Sequence, residues 1–266
     1  MLNKNAKLKH KAKIIGIAAL SLVLVIALVI FMQPSPSFVA DIPEVEFADD
    51  PVPDFSQFER VEDKKKAFFN YLRPAIDLQN EYLLNLRAYL QGLRAKLIAG
   101  ESLSESQQEE LEWLIEEYRV DTDQDEIKIF DALLRKIDII PAELVLIQSA
   151  NESAWGTSRF AQEGYNFFGI WCFVEGCGFV PKRRNSGAVH EVAKFDDLSS
   201  AMYSYMRNIN RHPAYRELRS IRSKLRTNQQ EITAMKLAEG LHKYSERGEE
   251  YVEELQLMIQ INRDLI

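Results

Sequence analysis

Hydrophobic residues recur at intervals of three and four along most of the chain after residue 56, which is the spacing of an amphipathic helix. The longest run covers residues 56–98, and Gly100 is its predicted end. Pro74 lies inside this run. Because proline lacks an amide hydrogen and crowds the preceding turn, it predicts either two helices or one kinked helix.

Two further helices are predicted next along the chain. The segment 104–118 opens with Ser104 and Gln107, which have the spacing of a capping box. The segment 125–136 again repeats apolar positions at helical spacing. Aromatic residues in this part, such as Trp113, are expected to pack in the core.

An apolar helix is predicted after Pro141, because proline is favoured in a first helical turn. Gly156 is its predicted end, and a short helix is predicted over residues 157–164. After the next change of pattern, helical spacing resumes behind Asp196 or Asp197, either of which can cap a helix. Three more helices are predicted from there to the C-terminus.

The pattern changes between residues 171 and 194. Glycines, a proline and two cysteines interrupt short apolar runs there, which is typical of a β-hairpin. We found no internal repeat. The sequence therefore predicts a mainly α fold with a small β-hairpin lobe.

An uncharged stretch of nineteen residues, Ile14–Met32, is long enough to span the roughly 30 Å hydrocarbon core of a membrane. Lysines precede it, so the positive-inside rule places the N-terminus in the cytoplasm and the remainder outside. The alternative is a cleaved signal peptide, but the stretch is long for one and Phe38 occupies a position where a small residue is preferred. Either interpretation exports the body of the protein.

Five prolines and several acids follow the apolar stretch, and this composition predicts an extended tether. The predicted organisation is therefore a basic cytoplasmic tail (1–13), a transmembrane anchor (14–32), a linker (33–55), an N-terminal helical region (56–120) and a main domain (121–266). The helical region is expected to cover a groove, to bind a partner or to complete the core.

Charge excludes one class of function. The chain has a net charge of −7, and its first thirteen residues hold five lysines and no acid, so the remainder carries about −12. A body this acidic lacks the basic surface that binding to nucleic-acid phosphates requires. Zinc-finger spacing, a phosphate-binding glycine loop and a heptad zipper are also absent from the sequence.

The two cysteines, Cys172 and Cys177, are separated by four residues. Two thiols rarely hold a metal alone, and the four histidines of the chain are scattered. In an oxidising compartment a disulfide that closes a small loop is the favoured interpretation, and free thiols are the alternative.

Glu152 is the candidate catalytic residue, because it lies where the apolar helix ends. On a continuing helix it shares a face with Gln148 and Trp155, so apolar neighbours would raise the pKa of its carboxyl and suit it to act as a general acid. The alternative is an ordinary glutamate at a helix end that faces water.

The segment "NESAWGTSRFAQEGYNFFGIW" resembles the signature of the glycoside hydrolase family 73 β-N-acetylglucosaminidases. The matching positions are Glu152, Ser153, Trp155 and Gly156, then Asn166, Phe168, Gly169 and Ile170. The segments "VAKFDDLSSAMYSYM" and "YSERGEEYVEEL" also resemble this family, and "WCFVEGCGFVPKRR" makes the chain most similar to its Bax-type proteins of Gram-negative bacteria. The resemblance covers about residues 120–265.

The resemblance implies a lysozyme-like α fold and cleavage of β-1,4 bonds on the N-acetylglucosamine side of peptidoglycan strands. Glu152 would be the general acid, and Tyr244 would lie near the reacting acetamido sugar. Peptidoglycan strands and the inner membrane are then the expected partners, the periplasm is the expected location of the body, and neither a metal nor a cofactor is implied.

A second carboxylate is less clearly indicated. Glu191 is favoured, Glu175 and Glu246 are alternatives, and the acetamido group of the substrate can replace all three. Inversion or retention is therefore not predicted.

Trp155, Asn166, Phe168 and Trp171 are the expected substrate-binding residues, although packing beneath the acid is an equal alternative for Trp155. The basic run Lys182–Arg184 is either a solvated tip or a contact for carboxylates of stem peptides or for lipid headgroups. Rival functions are a muramidase or lytic transglycosylase, and a wall-binding scaffold without activity.

Overall fold

The computed structural model describes residues 39–181 and 190–266. The predicted anchor, 14–32, and the basic run Lys182–Arg184 therefore lie outside the described residues. Within the two described ranges, the helices are too short or too polar to cross a membrane.

Helices dominate the described residues, as the apolar pattern predicts. The helices are α1 (Val61–Ile98), α2 (Glu105–Glu117), α3 (Glu126–Lys136), α4 (Ala142–Ser153), α5 (Arg159–Gly164), α6 (Leu198–Arg211), α7 (Arg216–Thr227), α8 (Ala234–Ala238) and α9 (Glu249–Ile261). The strands are β1 (Trp171–Cys172), β2 (Gly178–Phe179) and β3 (Glu191–Ala193). The capping box of Ser104 and Gln107 is present on α2, and Asp197 rather than Asp196 caps α6.

Helix α1 continues through Pro74 without dividing, so of the two predicted alternatives the division into two helices is excluded and a single helix is found. Its apolar stripe, which includes Phe68, Leu72, Leu86 and Leu90, is buried along the whole length. Burial of such a stripe stabilises a helix by more than the roughly 3 kcal/mol that an internal proline costs. Because α1 packs against α3, α4 and α6, the N-terminal region helps to complete the core of the compact unit formed by residues 41–266.

The segment 41–55, assigned to the linker by its composition, lies against the body instead of extending as a tether. We call it the strap. The Val45 amide donates a hydrogen bond to the Ser199 hydroxyl oxygen at 3.0 Å. The Phe55 ring is fully buried and meets the Phe68 ring at a centroid distance of 5.3 Å. The strap thus folds on apolar surface supplied by the rest of the chain, which its own composition does not reveal.

The β lobe is a three-stranded antiparallel sheet with the order β1-β3-β2, and not the simple hairpin that was expected. A side chain at Gly178 would place its Cβ 2.0 Å from the Val192 carbonyl oxygen, so β2 and β3 can approach only because this position is glycine. The predicted disulfide between Cys172 and Cys177 joins β1 to the loop before β2.

Helix α4 is enclosed by α1, α8 and α9, and a buried ionic cluster fixes the chain just before it. The guanidinium of Arg222 donates hydrogen bonds to the carbonyl oxygens of Asp138 and Ile139 at 3.0 and 2.9 Å. The Asp138 carboxylate accepts hydrogen bonds from Arg226 at 3.0 and 2.7 Å and lies 3.4 Å from Arg87. These contacts set where α4 begins.

Replacing this carboxylate tests the cluster. Burial raises the pKa of Asp138, but hydrogen bonds from Arg226 and the charges of Arg222 and Arg87 outweigh it and hold the pKa below 3.8. Asp138→Asn leaves these guanidinium groups without their carboxylate, so we expect it to lower the free energy of unfolding by about 3–5 kcal/mol at neutral pH. This contribution is complete above the unfolded pKa and is lost as the pH falls through the folded one.

Urea unfolding at neutral and acidic pH measures both effects. Asp131→Asn is the matched control, because it removes a carboxylate from the exposed pair with Arg94. It should cost less than about 1 kcal/mol. Equal losses in the two variants would show that the buried cluster contributes no more than a surface pair.

Candidate functional site

Helix α4 ends one residue after Glu152, and the chain then makes an unusual turn. Ala154, Trp155 and Gly156 all have left-handed backbone conformations, with φ values of 52°, 60° and 73°. The Ser153 hydroxyl holds the turn, because it donates to the Ser149 carbonyl at 2.6 Å and accepts from the Gly156 amide at 2.8 Å. Ser153 is therefore a buried structural residue.

This turn carries Trp155 away from Glu152, so the expected contact between the two is wrong. The indole packs against the rings of Phe68 and Phe69, at centroid distances of 5.8 and 5.4 Å, and the ammonium of Lys65 lies 4.8 Å from the indole centroid. Trp155 does not line the groove that Glu152 faces. The packing alternative accounts for this residue, because helical spacing no longer applies once the helix has ended.

Glu152 faces a groove of about 810 Å³. The groove is bounded by the end of α4, by the sheet, by α6 and by the loop before α9. Its lining includes Glu152, Phe168, Trp171, Tyr215, Tyr244 and Glu246. Acidic, aromatic and basic side chains thus meet in one groove, which is the default location for a binding site.

A chain of hydrogen bonds reaches Glu152 from the core. The Tyr251 hydroxyl donates to Oε1 of Glu152 at 2.9 Å, and the Gln148 amide donates to the Tyr251 oxygen at 3.1 Å. The Tyr205 hydroxyl in turn donates to the Gln148 carbonyl oxygen at 2.5 Å. Because Gln148 supplies the proton in its bond to Tyr251, the Tyr251 hydroxyl proton is directed at Glu152.

Burial raises the pKa of Glu152 above 4.5, and this is the largest influence on the carboxyl. The hydrogen bond from Tyr251 lowers the pKa, the negative charge of Glu254 raises it, and the positive charge of Arg247 lowers it. Arg247 is itself paired with Glu254 at 2.6 Å. The net effect favours the protonated form of Glu152, as a proton donor requires.

The other carboxyl oxygen, Oε2, faces Gly169. A Cβ at this glycine would lie 3.4 Å from Oε2, and its φ of 63° strains any other residue. Because Oε1 already accepts a hydrogen bond from Tyr251, the proton of the neutral acid belongs on Oε2. Glycine at this position therefore keeps side-chain atoms away from Oε2, and both residues line the groove.

Tyr244 and Phe168 form the wall beside the acid. The Tyr244 hydroxyl donates to the Phe168 carbonyl at 2.8 Å, and its ring stacks on Tyr251 with centroids 5.6 Å apart. The Phe168 ring stacks on Tyr205 at 3.9 Å. The sequence places Tyr244 and Phe168 at the site, and the structure brings both to the groove.

Asn166 is a positioning residue and does not line the groove, contrary to its expected substrate contact. It is buried, and its amide nitrogen donates to the carbonyls of Ile170 and Ala193 at 2.9 and 2.8 Å. Its amide oxygen accepts from the backbone amides of Phe168 and Ile170 at 3.3 and 3.0 Å. Asn166 thereby fixes the loop that presents Gly169 to the acid.

Trp171 lines the groove, in agreement with its predicted position. The side chain is 55% exposed, and one face of the indole stacks on His190 with centroids 4.1 Å apart. Phe173, which is 69% exposed, lines the same part of the groove. Exposed aromatic faces at a groove suit apolar faces of sugar rings.

Glu191, the favoured candidate for the second carboxylate, does not line the groove. It is buried, and its two oxygens accept hydrogen bonds from the amides of Gly176 and Gly178 at 3.1 and 2.8 Å. It therefore orders the disulfide loop. Glu175 is exposed and lies outside the lining, so among the described residues Glu246 is the acid that joins Glu152 in the groove.

In the described ranges, one group has the spacing of metal ligands. It comprises Cys172, Cys177 and Glu191, whose ligand atoms lie within 4.8 Å of one another. The disulfide removes both thiolates from this set, so these side chains do not form a metal site while it is intact.

Tyr251, which bonds to Glu152, and Tyr205, which bonds to Gln148, are not predicted as site residues from the sequence. Tyr251 is 99 residues from Glu152 along the chain. Both tyrosines lie on apolar helix faces and look like core residues in the pattern. An aromatic hydroxyl placed on a buried face was the available signal, because such a hydroxyl needs a partner.

Comparisons with known proteins agree with one another. The family profile described as mannosyl-glycoprotein endo-beta-N-acetylglucosaminidase matches residues 127–264. Protein bax of Escherichia coli (strain K12) is 32% identical over 216 residues, which cover 81% of this chain and 76% of that protein. No solved structure matches the chain.

Removing the Tyr251 hydroxyl tests the electrostatics of the site. Since its hydrogen bond lowers the pKa of Glu152, Tyr251→Phe should raise that pKa further. Carboxyl-carbon NMR titration of Glu152 measures the shift. Tyr89→Phe is the matched control, because the Tyr89 hydroxyl donates to Glu110, which does not line the groove. A lowered or unchanged pKa in Tyr251→Phe would contradict the hydrogen bond as described.

Proposed function

Because the chain belongs to the glucosaminidase family, we propose that it hydrolyses β-1,4 glycosidic bonds of peptidoglycan on the N-acetylglucosamine side, with Glu152 as the general acid. The observation that carries this proposal is the half-buried carboxyl of Glu152, which has a raised pKa and lines a groove of about 810 Å³. The family supports a glycosidase, and the geometry of this carboxyl supports its role.

Proton transfer to the glycosidic oxygen converts Glu152 from a neutral acid to an anion. The hydrogen bond from Tyr251 to Oε1 becomes charge-assisted at that moment and therefore strengthens. An interaction that is stronger after proton transfer than before it lowers the barrier to the transfer. Burial holds the proton in the resting site, and Tyr251 stabilises the carboxylate left behind.

Glu246 is our candidate for the second carboxylate. It lines the groove from the loop before α9, and Glu191 is occupied by backbone amides. In this role it would activate water or stabilise the positive charge that develops on the sugar. The acetamido group of the substrate is the alternative participant, and Tyr244 borders the groove where that group would bind.

We also propose that the chain is anchored in the inner membrane of a Gram-negative bacterium, with its body in the periplasm. The uncharged stretch 14–32, preceded by lysines, supports an anchor. The disulfide between Cys172 and Cys177 supports an oxidising compartment. The short segment between the anchor and the strap would then be the actual tether.

Glu152→Gln is expected to reduce the rate of hydrolysis of purified sacculi by about 10²–10⁴-fold, because the glutamine side chain cannot act as a general acid. Release of soluble fragments measures the rate. Mass spectrometry of wild-type products should find N-acetylglucosamine at the new reducing ends. Muramic acid at those ends would instead support a muramidase, and its anhydro form a lytic transglycosylase.

A folding readout makes this variant interpretable. The folded state holds the Glu152 proton more tightly than the unfolded state, so wild-type stability falls as the pH rises from about 4.5 through the folded pKa. Glu152→Gln avoids this loss and should have an equal or higher melting temperature at neutral pH. Glu163→Gln, on the exposed face of α5, is the control for both measurements. Full activity in Glu152→Gln would exclude the proposed acid, and inactivity of the wild-type protein would favour a scaffold.

Glu246→Gln tests the second carboxylate. If Glu246 takes part in the chemistry, kcat should fall by about 10²–10⁴-fold. Glu249→Gln, an exposed acid in the first turn of α9, is the matched control. A loss of less than about threefold would exclude Glu246 and assign the role to the acetamido group.

A further inference from the structure

Lysine and arginine side chains line the groove, although the chain as a whole is acidic. Arg207 and Arg211 lie one turn apart on α6, and both line the groove. Lys194 lines it from the segment after β3. On a chain with a net charge of −7, this concentration of positive charge beside the proposed substrate path requires an explanation.

The two arginines share a single carboxylate. Nη1 of Arg207 lies 2.6 Å from Oε1 of Glu117, and Nη1 of Arg211 lies 3.6 Å from Oε2. The same carboxylate also accepts a hydrogen bond from the Tyr203 hydroxyl at 2.6 Å. One acid therefore orients two guanidinium groups, but its charge balances only one of them.

Two neighbouring groups, Lys136 and His212, are also influenced by these positive charges. Burial lowers the pKa of Lys136 to about 8, and the charges of Arg219, Arg119 and Arg211 lower it in the same direction. Burial likewise lowers the pKa of His212, which lines the groove, and the same three arginines add to the effect.

Capping of α6 accounts for only part of this charge. Cations near a helix C-terminus are stabilising because they oppose the helix dipole. Arg219 already serves this end of α6, because it donates to the carbonyls of Ile209 and His212 at 2.8 and 2.9 Å. Arg211 does donate to the Glu117 carbonyl at the end of α2, at 2.9 Å. The side chains of Arg207 and Arg211 nevertheless stay 28% and 20% exposed and line the groove.

We propose that Arg207 and Arg211 form an anion subsite that binds carboxylates carried by the glycan and so selects an acidic strand over neutral chitin. The carboxylates belong either to the lactyl group of muramic acid or to the peptide attached to it. Guanidinium groups suit this ligand because they donate two parallel hydrogen bonds to a carboxylate. This inference rests on the proposed function for the glycan, but not on Glu152 chemistry.

The test measures binding of three glycans to the full chain carrying Glu152→Gln, so that hydrolysis does not consume the ligand. Chitohexaose has no carboxylate, strands stripped of peptide by an amidase keep lactyl carboxylates, and peptide-bearing strands keep those of the peptide. We expect one or both of the acidic strands to bind more tightly than chitohexaose. The difference in affinity should decrease as salt is added, because salt screens the charges. The strand that gains identifies the source of the carboxylate.

Arg207→Gln and Arg211→Gln should each reduce the ratio of chitohexaose Kd to acidic-strand Kd by about tenfold, the value of one charge-assisted hydrogen bond. Arg211→Lys should retain part of the preference. Arg94→Gln is the matched control, since Arg94 pairs with a carboxylate away from the groove and should leave the ratio unchanged. If the two arginines had only a structural role, their replacement would weaken the binding of all three glycans equally. The ratio of chitohexaose Kd to acidic-strand Kd would then stay the same.

An unchanged ratio in both glutamine variants, or no preference for acidic strands at low salt in the parent protein, would overturn the subsite. Thermal unfolding checks that the arginine variants fold. If they do not fold, the salt dependence of acidic-strand binding by the parent protein, which carries Glu152→Gln alone, decides whether the subsite exists. If the wild-type protein hydrolyses none of the strands while the Glu152→Gln variant still prefers acidic strands, the proposed function fails and the anion subsite remains.

Discussion

The hydrogen bond between Tyr251 and Glu152 opposes burial in setting the pKa of the carboxyl that faces the groove. Burial and the charge of Glu254 favour the neutral carboxyl, whereas Tyr251 favours its anion. A proton donor has to keep its proton in the resting site and release it to the substrate, so neither influence is sufficient alone. Gln148 and Tyr205 fix the direction of the Tyr251 hydroxyl, which ties this balance to the packing of three helices, α4, α6 and α9.

The position of Glu152 is fixed from both ends of α4. Before the helix, the buried cluster around Asp138 sets its first residue. After it, Ala154 and Trp155 adopt left-handed conformations, each of which costs about 1–3 kcal/mol in a non-glycine residue. Packing of the indole against Phe68 and Phe69 offsets this cost. The motif tryptophan thus holds the end of the helix in place and lets the acid face the groove.

Sequence was a good guide wherever one local rule decides the outcome. Helical spacing, the Ser104 cap and the cysteine pair each predict what is found, and the family motif singles out Glu152. The errors at Trp155 and Glu191 have a different origin. Helical periodicity does not reveal that two non-glycine residues turn left-handed after Ser153.

Long-range pairing explains the remaining differences. The burial of Glu191 follows from its place in the central strand of a sheet whose order cannot be deduced from three short segments. The contact of Tyr251 with Glu152 joins residues that are distant in the chain and depends on how α9 packs against α4. Such contacts are decided by the whole core and not by the segments that make them.

The strap has a practical consequence for where the folded unit begins. A Cβ at Gly156 would lie 2.5 Å from the Phe55 ring, so this ring covers the turn that directly follows the acid. A fragment started at residue 56, the boundary suggested by composition, would uncover that turn and the Phe68 ring beneath it. Expression from residue 41 keeps the Phe55 ring in place, and with it the backbone turn that follows Glu152.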